Sequence, residues 1–199
     1  MKRIITISRE FGSGGRSVAK ALADRLGYRY YDKELVKQVA DASGFDPAFV
    51  EEHGEHSSSR SGLNYLLGAT GVPGVMQGMS AADFLWSIQR GVIEKLAAEE
   101  APCVIVGRCA DYILRDREDA LHAFLHAPMA YRADRIVRLY GESEKKPEER
   151  LRDKDKRRAN NYKHFTGREW GASRNYDICL NTAAFGIEGC VNLLEQLAK

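Results

Sequence analysis

Short runs of consecutive apolar residues alternate along the chain with longer stretches whose apolar positions recur every three or four residues. The first run is Ile4 to Ser8; Tyr28–Tyr31, Cys103–Val106, Leu121–Leu125 and Ile178–Leu180 follow. Runs of this length that are apolar throughout fit strands covered on both faces. After the first, Val18, Ala19, Leu22, Ala23 and Leu26 share one helical face between Ser17 and Leu26, and Gly27 ends that helix. Helices are predicted likewise over Lys33–Ala42, Pro47–His53, Ala81–Glu99, Met129–Tyr140, Pro147 to Tyr162 and Ile187–Leu197. This alternation predicts an α/β protein with a mainly parallel sheet flanked by helices. Two stretches depart from it and read as inserts on one domain: Ser57–Ser80, rich in Gly and Ser, and the densely charged Glu142–Arg158.

A chain of 199 residues is long enough for one well-buried core, and 44% apolar against 29% charged residues is an ordinary globular balance. Lys and Arg number 30 against 28 Asp and Glu, a net charge of +2. So small an excess argues against a nucleic-acid polymer as partner and confines any anion site to one locality. No apolar run is long enough to span a membrane, and the N-terminal apolar stretch is too short for a signal peptide. Cys103, Cys109, Cys179 and Cys190 are scattered without metal-ligand spacing, which suits reduced core thiols and a cytoplasmic location. His53 and His56 form an H-x-x-H pair that reads as solvated loop rather than metal site.

The candidate chemistry begins where the first strand ends. Arg9-Glu-Phe-Gly12-Ser13-Gly14-Gly15-Arg16-Ser17 leads directly into a helix. Strand, glycine-rich turn and helix N-terminus together form a phosphate-binding context, because inward-turned N–H groups and the helix dipole favour an anion. The strict pattern G-x-x-x-x-G-K-[ST] is not met, since no lysine stands between Arg3 and Lys20. Arg16 is then the expected loop cation, and Ser17 the hydroxyl for Mg²⁺ or a phosphate oxygen. The same glycines also suit a tight turn required for backbone reasons alone.

These residues, with Tyr30-Tyr31-Asp32-Lys33-Glu34-Leu35, Val104-Ile-Val-Gly-Arg-Cys-Ala-Asp-Tyr-Ile-Leu114, Phe124-Leu-His-Ala-Pro128, Asp155–Tyr162 and Asn181-Thr182, resemble the cytidylate kinase-like family. The resemblance implies a P-loop kinase domain over 1–199: a five-stranded parallel sheet, a helical acceptor-binding insert over 33–100 and a basic mobile lid over 142–165. Bacterial CMP kinases carry G-S-G-K-G-T where this chain has Gly12–Ser17, so without gaps their lysine falls on Gly15 and their threonine on Ser17. By the same resemblance Arg108 is an acceptor-phosphate ligand, and Arg157 and Arg158 are lid arginines that close on the transferring phosphates. Arg132 and Arg135 are similar to an arginine pair preceding the lid; Arg132 is expected on substrate, although a surface role fits the spacing equally.

No carboxylate ends the third strand, so a magnesium partner for Ser17 is sought in Asp32 or Asp111, either of which also suits substrate binding; Asp32 is equally suited to capping the next helix. Arg150, Lys154 and Arg158 recur at spacing four on one helix face. Tyr162, His164 and Trp170 flank a basic segment, but nothing else supports stacking on RNA bases. Ser57–Ser80 either closes over a base or forms a contact between two copies of the chain. The resulting expectation is ATP and Mg²⁺ on the loop and CMP, dCMP or a similar small phosphate acceptor near Arg108. The alternatives are a kinase for another small molecule and a non-catalytic nucleotide-binding regulator.

Overall fold

The computed structural model describes residues 1–55 and 79–199. Five parallel strands form one sheet: β1 (Ile4–Arg9), β2 (Arg29–Tyr31), β3 (Cys103–Val106), β4 (Ala120–His126) and β5 (Ile178–Asn181), in the order β2-β3-β1-β4-β5. The helices between them are α1 (Gly15–Leu26), α2 (Lys33–Ser43), α3 (Pro47–His53), α4 (Ala81–Ala98), α5 (Ala110–Ile113), α6 (Met129–Tyr140), α7 (Pro147–Thr166) and α8 (Thr182–Ala198). The chain leaves β1 toward β2 on one side and returns from β3 to β4 on the other. The crevice between the ends of β1 and β3 is therefore the switch point at which open parallel sheets bind ligands.

Alternate residues of each strand explain the unbroken apolar runs. Ile5, Ile7, Val104 and Val106 pack with Val18, Leu22, Val191 and Leu194 of α1 and α8. Ile4, Cys103 and Ile105 face Leu35, Val39, Leu85 and Ile93 of α2 and α4. A third, smaller cluster joins Ala133 and Ile136 of α6 to Leu151 of α7, with Phe11 and Met129 packed against it. That cluster sets the glycine-rich turn against the basic helix.

Element ends shift where local chemistry decides them. α1 begins at Gly15, two residues before the expected Ser17. α8 bends at Gly186 (φ 68°), so its regular part runs from the expected Ile187 after a first turn opened by the Asn181 cap. Ser80 caps α4 by accepting from the Asp83 N–H. The aromatic residues flanking the basic segment are partly enclosed: Tyr162 is buried and Trp170 packs edge-on against Phe124. Most of Ser57–Ser80, and His56 of the histidine pair, lie outside the described residues; His53 stacks on Phe49. Among the described residues no helix is long and apolar enough to cross a membrane.

Ile105 has no exposed surface and joins β3 to the α2–α4 layer. Ile105→Ala should lower stability by about 2–5 kcal/mol in urea denaturation; a loss under about 1 kcal/mol would contradict this packing.

Candidate active site

The turn after β1 is held from three sides. Gly12 and Gly14 take φ of 80° and 86°, a left-handed conformation that glycine adopts without strain. A Cβ at Gly12 would also lie 3.0 Å from the Arg132 carbonyl oxygen and from Ile136 Cγ2, so α6 presses directly on the turn. The buried Ser13 hydroxyl donates to the Glu10 carbonyl at 2.9 Å, and the Ser13 carbonyl accepts from the Thr182 hydroxyl at 2.6 Å. No side chain caps α1, which leaves the N–H groups of its first turn to an incoming anion or water. Over this turn lies a cavity of about 460 Å³, lined among others by Arg9, Gly15, Ser17, Arg135 and Arg158.

β3 is followed by Gly107, Arg108 and Cys109, three successive residues at φ of 68°, 62° and 54°. Left-handed backbone at Arg108 and Cys109 costs about 1–3 kcal/mol each and persists only where surroundings enforce it. The turn sends the Arg108 side chain inward, where its guanidinium donates to the Val50 carbonyl at 2.8 Å. Gln89 of α4 accepts from it at 3.5 Å and donates to the Arg108 carbonyl at 3.2 Å. Burial lowers the Arg108 pKa, opposed by the charge of Glu55.

Three buried guanidiniums converge between the two turns. Arg9, the last residue of β1, makes a two-pronged ion pair with Glu55, just beyond α3. Arg158 of α7 approaches the same carboxylate at 3.7 Å and donates to the Arg9 carbonyl at 3.2 Å. Burial opposes ionisation of Glu55, but Arg9, Arg158 and Arg108 outweigh it and hold the carboxyl well below its ordinary range. Burial, reinforced by Arg9, pushes the Arg158 pKa down to about 10. An open cleft of about 860 Å³ continues from this cluster, lined by Arg16, Glu51, Glu52, Arg108, Lys154 and Arg157 among others.

Comparison with known proteins fits this geometry. The model of the "Cytidylate kinase-like family" matches residues 4–184. The chain belongs to the cytidylate kinase-like family. A cytidylate kinase of Pyrococcus horikoshii is 23% identical over 189 residues, covering 94% of this chain and 84% of that protein. One from Thermococcus kodakarensis is 25% identical over 191 residues, covering 94% and 82%. An uncharacterised protein from Eubacterium ventriosum has a solved structure that superposes with a TM-score of 0.72 at 28% identity, covering 98% of this chain and 97% of that one. Shikimate kinase from Acinetobacter baumannii shares the fold, with a TM-score of 0.55 at 17% identity and coverage of 98% and 91%. Family and fold together make the chain a kinase-like phosphotransferase with a five-stranded P-loop sheet.

The cytidylate kinase-like motifs fall around this site, with several side chains turned differently from expectation. Arg16 lines the loop cavity and pairs with Asp32 at 2.8 Å; burial alone would lower its pKa, but Asp32 outweighs this and raises it. Asp32 precedes α2 without capping it, because its carboxylate serves Arg16 instead. Ser17 lines the loop cavity, and its hydroxyl accepts from Arg135 at 2.9 Å. Arg132, expected on substrate, is buried among protein partners: its guanidinium donates to the Ala127 and Phe11 carbonyls at 2.9 and 3.1 Å and pairs with Asp155 at 2.5 Å. Three residues along the same helix, Arg135 takes the open position over the loop.

Asp111 is sealed beneath the site, accepting from Ser8 at 3.1 Å and Tyr162 at 2.7 Å; burial raises its pKa. The basic helix α7 lies docked rather than standing clear, through Asp155 accepting from the Phe11 N–H at 2.7 Å, Arg158 and Tyr162. Arg157 is exposed at the cleft. Arg9 and Glu55 were not among the residues expected at the site, and nothing in their spacing marks them.

Two outcomes follow. Arg132→Ala leaves Asp155 and Glu10 without their buried cation and should cost about 3 kcal/mol of stability in urea denaturation; a change under about 1 kcal/mol would show that Arg132 does not clasp the turn. Because folding depresses the Glu55 pKa, its contribution is complete above about pH 5 and disappears as pH falls through the depressed value. Glu55→Gln should therefore be less stable than the parent at pH 7, with the gap closing in acid; a gap independent of pH would contradict the ion cluster.

Proposed function

We propose that this chain transfers the γ-phosphoryl group of ATP to CMP, dCMP or a similar small phosphate acceptor. The observation that carries the reading is the position of Arg158, which bounds the loop cavity and the neighbouring cleft at once. A triphosphate on Gly12–Ser17 and an acceptor phosphate beside Arg108 would meet at that guanidinium. An acceptor phosphate oxygen attacks the γ-phosphorus, the bond to the β–γ bridging oxygen breaks, and its electron pair leaves with ADP. The acceptor phosphate is already ionised at neutral pH, so no general base is required. The protein's task is positioning and charge stabilisation, which fits arginines rather than an acid–base pair. Arg157 adds charge from the cleft wall.

Magnesium fits this arrangement as a companion of ATP. Among the described residues no three His, Cys, Asp or Glu side chains cluster to hold a metal, and Mg²⁺ needs few protein ligands when phosphates and water complete its shell. Ser17, with its hydroxyl released from Arg135, would hold the ion, and the bound ion would neutralise phosphate charge. A second reading, a kinase for another small molecule, draws on Glu51 and Glu52, carboxylates lining the cleft that suit a hydroxylated acceptor.

An ADP-release assay with MgATP against nucleoside monophosphates, shikimate and gluconate separates the readings. Acceptor-dependent turnover with CMP or dCMP is expected; turnover with a hydroxylated acceptor alone would favour the second reading, and none with any acceptor would overturn the first. Arg108→Ala should raise the acceptor KM roughly tenfold or more, the loss of a charge-assisted hydrogen bond. Arg158→Ala should lower kcat by about 10²-fold or more.

A further inference from the structure

We infer that Arg9, not Arg16, supplies the cation of the phosphate loop, contacting the β- and γ-phosphates of a bound nucleoside triphosphate. The inference rests on the phosphotransferase reading and adds a residue to it. Gly15 stands where related kinases carry lysine, and the reason it has no side chain is steric. A Cβ at Gly15 would lie 2.5 Å from Arg9 Cβ and 2.6 Å from Arg9 Cγ. The Arg9 stem thus fills the space that a residue at position 15 would use to leave the helix.

The Arg9 guanidinium continues from that place into the gap between the loop and the end of β3. It reaches the point where a Cβ on Gly107 would project, so the glycines at 15 and 107 together form a channel for this one side chain. Arg9 is 4% exposed, yet it lines both the loop cavity and the adjoining cavity toward Arg108. Arg16 also lines the loop cavity, but its side chain is 46% exposed and paired with Asp32, outside the buried guanidinium cluster.

The charge around Arg9 shows what it awaits. Arg9 and Arg158 share Glu55; Asp155 lies 4.0 Å from Arg158 but is paired with Arg132 at 2.5 Å, and Arg108 has no carboxylate within 4.0 Å among the described residues. Arg158 Nε, on a side chain 9% exposed, has no hydrogen-bond partner among the described residues. Buried guanidiniums in excess of carboxylate, with an N–H left unpaired, are unfavourable unless an anion completes them. Glu55 fills part of that role: two carboxylate oxygens on Arg9 present the geometry that two phosphate oxygens would. Phosphate arriving on Arg9 displaces Glu55.

The test is a set of variants read by calorimetric affinity for ATP and AMP, with turnover measured alongside. Arg9→Ala should reduce the ratio of ATP to AMP affinity by roughly tenfold or more and kcat by about 10²-fold. Arg16→Ala should reduce both less. Gly15→Lys alone should be damaging because its side chain collides with the Arg9 stem, whereas Arg9→Ala with Gly15→Lys should recover at least ~10-fold of the lost turnover as the charge returns from the other side of the same space. If Arg9→Ala does not fold, Arg9→Gln, which keeps the stem, reads the same ratio. An unchanged ATP-to-AMP ratio in the Arg9 variant, or a larger loss from Arg16→Ala, overturns the assignment. A parent protein that turns over no acceptor but loses its triphosphate preference in the Arg9 variant would uphold Arg9 while defeating the phosphotransferase reading.

Discussion

Three guanidiniums brought into the crevice between β1 and β3, with Glu55 held among them, are the constraint on which the rest of this site depends. Each arrives from a different element: Arg9 from the end of β1, Arg108 from the left-handed turn after β3, Arg158 from the middle of α7. Burying like charges together is unfavourable, and the surrounding structure is organised around making it tolerable. Gly15 and Gly107 open the space for Arg9, Val50 and Gln89 hold Arg108, and the Arg9 carbonyl accepts from Arg158. An interior with more cation than carboxylate favours an anion, and the proposed reaction supplies one as phosphate.

The same contacts make the phosphate loop and the basic helix one mechanical unit. Asp155 accepts from the Phe11 backbone and from Arg132, so a single carboxylate couples the turn to both α6 and α7. Arg132 is therefore a positioning residue, although it stands beside arginines that line the cavity over the turn. Below them, Tyr162 and Ser8 close over Asp111, which ties the C-terminal half of α7 to the end of β1. Movement of α7 away from the loop would have to break these bonds, while its first turn is held through Leu151 and the Arg150 contact to the Gly141 carbonyl at 2.9 Å.

Much of the fold was legible because the central strands β1, β3 and β4 are covered on both faces and so appear as largely apolar runs, while α1, α2 and α6 show one apolar stripe each. The loop was legible because glycine before a helix has a backbone reason that sequence displays. What sequence withheld was side-chain direction. Arg132 and Arg135 differ by three positions, yet one enters the protein and the other covers the loop, because Ile136 turns the inner face of α6 toward Gly12. Arg16, the expected loop cation, is paired with Asp32, a residue sixteen positions away that the sequence offered equally as a site carboxylate or a helix cap. Glu55 sits beside the conspicuous His53 and His56, and only the tertiary approach of α3 to β1 reveals it. Gly15 invited reading as a lost lysine; the space it leaves is filled by a residue six positions earlier.

The most direct measurement is a crystal structure of the protein with a non-hydrolysable ATP analogue, Mg²⁺ and CMP bound together. The account predicts phosphate oxygens on the guanidiniums of Arg9, Arg108 and Arg158, with the Glu55 carboxylate displaced from Arg9. Phosphates bound elsewhere while the Arg9–Glu55 pair stays closed would contradict it.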